Sequence, residues 1–145
     1  MKLELRLYPD PVLRVKSEKI VKFDKDLVKF AYKLDEIREQ HQGIGISSIQ
    51  VGCPIQLIIV GDGDRHYFMC NPEIIYQSPE LIDGREGCLS FPGVFINKPR
   101  PKRINIKYQD LKGRNQRMVC YDLLARCCLH EHEHLSGILL EDEDN

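Results

Sequence analysis

The sequence predicts an α+β domain in which mainly antiparallel sheets pack around a C-terminal helix carrying His-Glu-x-x-His, with another helix near the N-terminus. Three observations predict it. Lys25 to Gln42 carries an apolar stripe at helical spacing, residues 56–120 alternate apolar runs with turn residues, and a final helix opens near Tyr121-Asp122. Helix, strands, helix is the order expected of an α+β chain. The 145 residues suffice for one domain, 1–145, with a proper core.

Near the start, Asp10 is a candidate cap with Pro11 at the first helical position, followed by only a short turn. In the first long helix Leu27, Val28, Phe30, Ala31, Leu34 and Ile37 form the apolar stripe, with Lys, Asp, Glu and Arg on a solvated face. This helix packs the core and has no assigned chemistry. Gly43-Ile44-Gly45-Ile46-Ser47-Ser48-Ile49-Gln50 follows as a loop; no Gly-Lys-Ser/Thr is present to make it a phosphate loop.

Gln56 to Val60 reads as a strand, and Gly61-Asp62-Gly63-Asp64 as the turn of a hairpin onto His66 to Cys70. Asn71-Pro72 should break that strand before Glu73 to Gln77. Leu81 to Glu86 is a further strand, and Pro92-Gly93 marks a turn after it. Ile104, Ile106 and Tyr108 alternate with polar residues in a half-buried strand. Asp110-Leu111-Lys112-Gly113 then turns into Asn115 to Cys120. Glu141-Asp142-Glu143-Asp144 is a short solvated acidic end.

Composition excludes several classes. A hydrophobic share of 42% and a charged share of 30% are ordinary for a soluble globular protein. A net charge of −1 gives no global attraction to nucleic acid or an acidic membrane; Arg100-Pro101-Lys102-Arg103 reads as a solvated strand entrance. No signal peptide or bilayer-length apolar run is present, so a cytoplasmic location is expected. That compartment predicts reduced thiols for the six cysteines: one a metal-ligand candidate, the rest small buried hydrophobes.

The chemistry centres on Leu129-His130-Glu131-His132-Glu133-His134-Leu135. His130 and His134 lie about 40° apart around a helix, so both can reach one metal ion, whereas His132 falls about 200° from His130. Glu131 and Glu133 each lie about 80° from the centre of the pair, so helical geometry leaves both open; the mechanics of the motif favour Glu131. A catalytic site needs a third protein ligand. Downstream, Glu141 and Glu143 are candidates among the 11 residues after His134. Upstream stands Cys88, in Glu86-Gly87-Cys88-Leu89-Ser90. Cys127 shares the helical face of the histidines, although three ligands in one column suit a tetrahedral site poorly. His41 and His66 read as surface residues, and His132 likewise.

Three segments together resemble the peptide deformylases, whose signatures are Gly-x-Gly-x-Ala-Ala-x-Gln, Glu-Gly-Cys-Leu-Ser and Gln-His-Glu-x-Asp-His. Gly43 to Gln50, Glu86 to Ser90 and His130 to His134 occur in that order, and Asp10 to Arg14 and Arg100-Pro101 also match. The resemblance covers nearly the whole chain. Ser47 and Ser48 replace the two alanines, Leu129 the glutamine and Glu133 the aspartate. The short stretch after the metal helix is similar to compact bacteriophage forms without the C-terminal helix associated with ribosome docking, so docking by that route is not expected.

The resemblance implies one divalent metal, natively Fe(II) with Ni, Co or Zn able to substitute, held by Cys88, His130 and His134. It implies removal of the formyl group from N-formylmethionyl nascent peptides, releasing formate. Glu131 would move the protons of the attacking water, and the Gln50 amide and Leu89 backbone N–H would stabilise the oxyanion. The peptide should lie as an added strand near Gly43, Gly45, Glu86 and Gly87; Ile44 and Cys127 read equally as lining the methionine pocket or as core packing. Glu86 and Arg100 are expected to pair. A monomer is expected. A metal-stabilised non-catalytic module and a metallopeptidase are the alternative readings.

Overall fold

Asp24 starts the first helix. Its carboxylate accepts from the Leu27 backbone N–H at 3.0 Å, meeting one of the donors that every helix start leaves unpaired. The helix, α1 (Lys25–Gln40), buries Leu27, Ala31, Leu34 and Ile37, the expected stripe. It stops at Gln40, short of the expected Gln42, which takes a φ of 55°. Nor is its polar face wholly solvated: Asp35 and Arg38 are buried and joined at 2.7 Å. Arg38 Nη1 also donates to the Gly43 carbonyl at 2.9 Å, fixing how the chain leaves the helix.

The computed structural model describes residues 2–140 and 142. Met1, Asn145 and, from the acidic end, Glu141, Glu143 and Asp144 lie outside the described residues; Asp142 pairs with Arg14. The strands are β1 (Gly45–Ser47), β2 (Leu57–Asp62), β3 (Arg65–Gln77), β4 (Leu81–Cys88), β5 (Phe91–Pro101), β6 (Arg103–Gln109) and β7 (Asn115–Tyr121). A second helix, α2 (Asp122–His134), follows. One antiparallel sheet has the order β1-β2-β3-β6-β7, while β4 and β5 form a separate hairpin.

Burial on both faces explains why β2 is an unbroken apolar run. Successive side chains point to opposite faces, so Leu57 and Ile59 pack in the cluster with α1, and Ile58 and Val60 in the cluster with α2. All four are fully buried, each contributing about 1.5–3 kcal/mol. The sheet is therefore the middle layer between the two helices. A smaller cluster of Leu13, Phe91 and Leu139 lies beside Cys88. The capped turn at Asp10 forms as expected, with the carboxylate accepting from Val12 N at 2.9 Å.

The structure corrects four further expectations. The Gly43–Gln50 segment contains β1 and most of a 3-10 turn, Ser48–Val51. Asn71-Pro72 bulges β3 rather than ending it: the register shifts between Cys70 and Glu73, and Asn71 takes a φ of 52°. The turn after Cys88 is Leu89–Ser90, while Pro92 and Gly93 lie inside β5, which turn residues and prolines had concealed. Arg100 is not at a solvated entrance; it is buried.

Asn71 also closes a gap between elements. Its side chain accepts from Ile20 N and donates to Ile20 O and Gln109 Oε1, each at 2.8 Å. Asn71→Ala strands the buried Ile20 groups and should destabilise the fold by about 1–3 kcal/mol, read as a lower urea midpoint. An unchanged midpoint would contradict this account of the bulge.

Candidate metal and catalytic centre

Cys88 ends β4 and faces α2, where His130 and His134 stand one turn apart. The three ligand atoms lie within 4.8 Å of one another, and Cys88 Sγ is 3.4 Å from His134 Nε2. The two imidazoles differ on their outer sides. His130 Nδ1 faces Glu86 Oε1 at 3.3 Å, leaving its Nε2 side for the cluster, whereas His134 Nδ1 has no partner among the described residues. The rings stand nearly perpendicular, at 83°. A thiolate and two imidazoles converging at this distance fit one transition-metal ion.

Burial shapes the charges here. Burial and then the charge of His130 lower His134 to about 3, keeping it in the neutral form in which imidazole binds metal. Burial also disfavours charge on His130, but hydrogen bonds to Cys88 and Glu86 outweigh it and push that ring up to about 10. Burial raises the Glu86 carboxyl as well; hydrogen bonds from Arg100 and His130 overcome this and hold it well below the usual carboxylate range.

The two carboxylates that helical geometry could not separate take different places. Glu133 turns away to Arg100 Nη2 at 2.6 Å and Lys98 at 3.7 Å, so the longer side chain in place of aspartate makes an ion pair. Glu131 is buried at the cleft, with Oε1 lacking a partner among the described residues. Burial pushes it up to about 7, with His130 opposing that rise and Glu86 adding to it. Gly45 explains the close approach of β1: a Cβ there would lie 2.6 Å from Cys127 Sγ and 2.9 Å from Glu131 Cγ.

Gln50 sits in the 3-10 turn with its amide held at both ends. Its Oε1 accepts from Ser47 N at 2.9 Å and Ser47 Oγ at 3.2 Å, while Nε2 donates to Ser90 Oγ at 3.1 Å and Cys88 Sγ at 3.6 Å. The serine in place of alanine thus adds a second donor on the amide oxygen, pointing Nε2 at the cluster. Ser48 Oγ bonds the Ile55 carbonyl instead. Leu89 occupies the turn after Cys88, its side chain against Gly43.

A cleft of about 870 Å³ opens onto this centre, lined among others by Ile44, Gly45, Gly87, Cys127 and Glu131. Ile44 is exposed at it and Cys127 buried. Burial and then Glu131 raise the Cys127 thiol well above its usual value, so it acts as an apolar wall. Glu86 is present, but Arg100 Nε and Nη2 at 2.8 and 2.9 Å and Arg126 Nη1 at 2.6 Å occupy its carboxylate. Arg126 was not anticipated, although its position four before His130 puts it on the same helical face. All six cysteines are free. His66 is exposed and paired with Asp35, whereas His132, expected at the surface, is half-buried near Pro72.

A family model described as polypeptide deformylase matches residues 2–144. The peptide deformylase of Dictyoglomus thermophilum is 40% identical over 139 residues, covering 96% of this chain and 90% of the relative. That of Thermotoga petrophila is 36% identical over 138 residues, covering 95% and 84%. The crystal structure of the Thermotoga maritima peptide deformylase superposes with a TM-score of 0.95 at 34% identity, covering 98% and 97% of the two chains. The Synechococcus elongatus peptide deformylase, solved with actinonin, gives 0.93 at 36% identity over 97% and 77%.

Ser47→Ala removes one of the two donors on Gln50 Oε1 and should lower stability by about 0.5–1.5 kcal/mol in thermal unfolding. No change would mean that the backbone donor alone holds the amide.

Proposed function

The chain belongs to the polypeptide deformylase family, enzymes that remove the N-formyl group from nascent peptides, and from that premise we propose how its own residues do so. Cys88, His130 and His134 hold one divalent ion. The mixed thiolate and imidazole set favours a first-row transition metal over Mg or Ca, and the resemblance makes Fe(II) the native ion, with Ni, Co or Zn able to substitute. When bound, the ion would supply Lewis acidity, which makes water a nucleophile near neutral pH.

Glu131 takes a proton from the water that attacks the formyl carbon, then delivers it to the departing amine nitrogen. A carboxyl poised at about 7 can both accept and give a proton near neutral pH. The formyl C–N bond breaks, leaving formate and a peptide with a free amine. Gln50 Nε2 and the Leu89 backbone N–H donate to the oxyanion. The peptide lies as an added strand along Gly43–Gly45 and Glu86–Gly87, and its first side chain enters between Ile44 and Cys127. Glu86 offers only its main chain, since its carboxylate is engaged by arginines.

The observation that carries this reading is a buried Glu131 carboxylate, its Oε1 without a partner among the described residues, beside three converging ligand atoms. The test is formate release from a short N-formylmethionyl peptide by protein purified without oxygen and loaded with Fe(II) or Ni(II). Release should stop with chelator. Glu131→Gln should keep the metal yet lose about 10²–10⁴-fold in turnover, and Cys88→Ala should lose the metal. Wild-type activity in Glu131→Gln would overturn the proton-transfer role.

A further inference from the structure

The proposed ligands come from two parts of the chain that share no hydrogen-bonded sheet: Cys88 from the β4–β5 hairpin, His130 and His134 from α2. Something must set the register between them. Arg126, one turn before His130, is only 6% exposed and extends across the hairpin. Its Nη2 donates to Ile82 O at 2.5 Å, and its Nη1 to Lys98 O at 2.7 Å and Glu86 Oε2 at 2.6 Å. One guanidinium therefore ties α2 to both strands of the hairpin and to the carboxylate that faces His130 Nδ1 at 3.3 Å.

Gly84 supplies an independent observation. A Cβ there would stand 2.6 Å from Arg126 Cζ and 2.7 Å from Nε, so β4 leaves a space that the guanidinium fills. The rigid planar fork of arginine can satisfy two carbonyls and a carboxylate at once, which the single ammonium of lysine cannot do in the same geometry.

We propose that Arg126 is a positioning residue that registers the hairpin against α2, holding Cys88 through β4 and His130 through Glu86 in the metal-binding arrangement. The inference rests on the ligand set given under Proposed function. Groups behind metal ligands typically govern affinity by 10–100-fold, and the same scale is expected here.

The test measures Co(II) affinity of the full-length protein by chelator competition, together with the visible and thiolate charge-transfer absorption of the bound ion. Wild type tests the ligand set itself: one Co(II) without a thiolate band would overturn that reading, whatever the variants do. Given that band, Arg126→Leu should bind Co(II) about 10–100-fold more weakly with an altered spectrum. Arg126→Lys should recover part of the loss. Gly84→Ala, which displaces the guanidinium without removing any charge, should also weaken binding and shift the spectrum. Should Arg126→Leu fail to fold, Gly84→Ala and Arg126→Lys carry the test. Folded variants with wild-type affinity and spectrum would overturn the proposal, even with a lowered melting temperature, since that pattern belongs to structural packing alone.

Discussion

The Glu86 carboxylate, buried and shared by Arg100, Arg126 and His130, is the interaction on which the site depends. It joins β4, β5 and α2 at one point, two residues before Cys88 on β4. Burying such charges gives little net stability, because desolvation offsets most of the attraction. Its consequence is geometric: a carboxylate fixed by two guanidinium groups fixes in turn the outer nitrogen of His130. Removing any one partner would leave a buried charge short of its counterpart, so the cluster is all or nothing.

The rest of the fold delivers groups to that point. With α1 covering one face of the sheet, α2 is free to cover the other while turning its His130–His134 face to the hairpin. Arg38 holds the chain leaving α1 by the Gly43 carbonyl, and Gly45 then lets β1 come against Glu131. The 3-10 turn after β1 aims the Gln50 amide at Cys88. A Cβ at Gly43 or Gly45 would stand within 3 Å of Leu89 or of Cys127 and Glu131, which is why glycines occupy these two positions.

Much of this was legible in the sequence because it follows periodicity. The α1 stripe, the β2–β3 hairpin and the placing of His130 against His134 need only helix and strand repeats. β5 was illegible because Pro92-Gly93, Pro99 and Pro101 mask its alternation, and its pairing to β4 is a long-range fact. Asn71-Pro72 looked like a break because local turn preference says nothing of the Ile20 backbone that Asn71 bonds. The Glu86–Arg100 pair could be anticipated from charge alone, but Arg126 carried no signal, since only the fold brings Glu86 to it. Glu131 and Glu133 are equivalent by helical angle; Arg100 and Lys98 separate them. The motif resemblance supplied what periodicity could not, the pairing of Cys88 with the two histidines.

The central claim is a single ion held by one sulfur and two imidazoles, and X-ray absorption at the metal edge of the loaded protein tests it most directly. The account predicts one sulfur scatterer, two imidazole shells and a remaining light-atom position. A first shell without sulfur, or with two sulfurs, would contradict it.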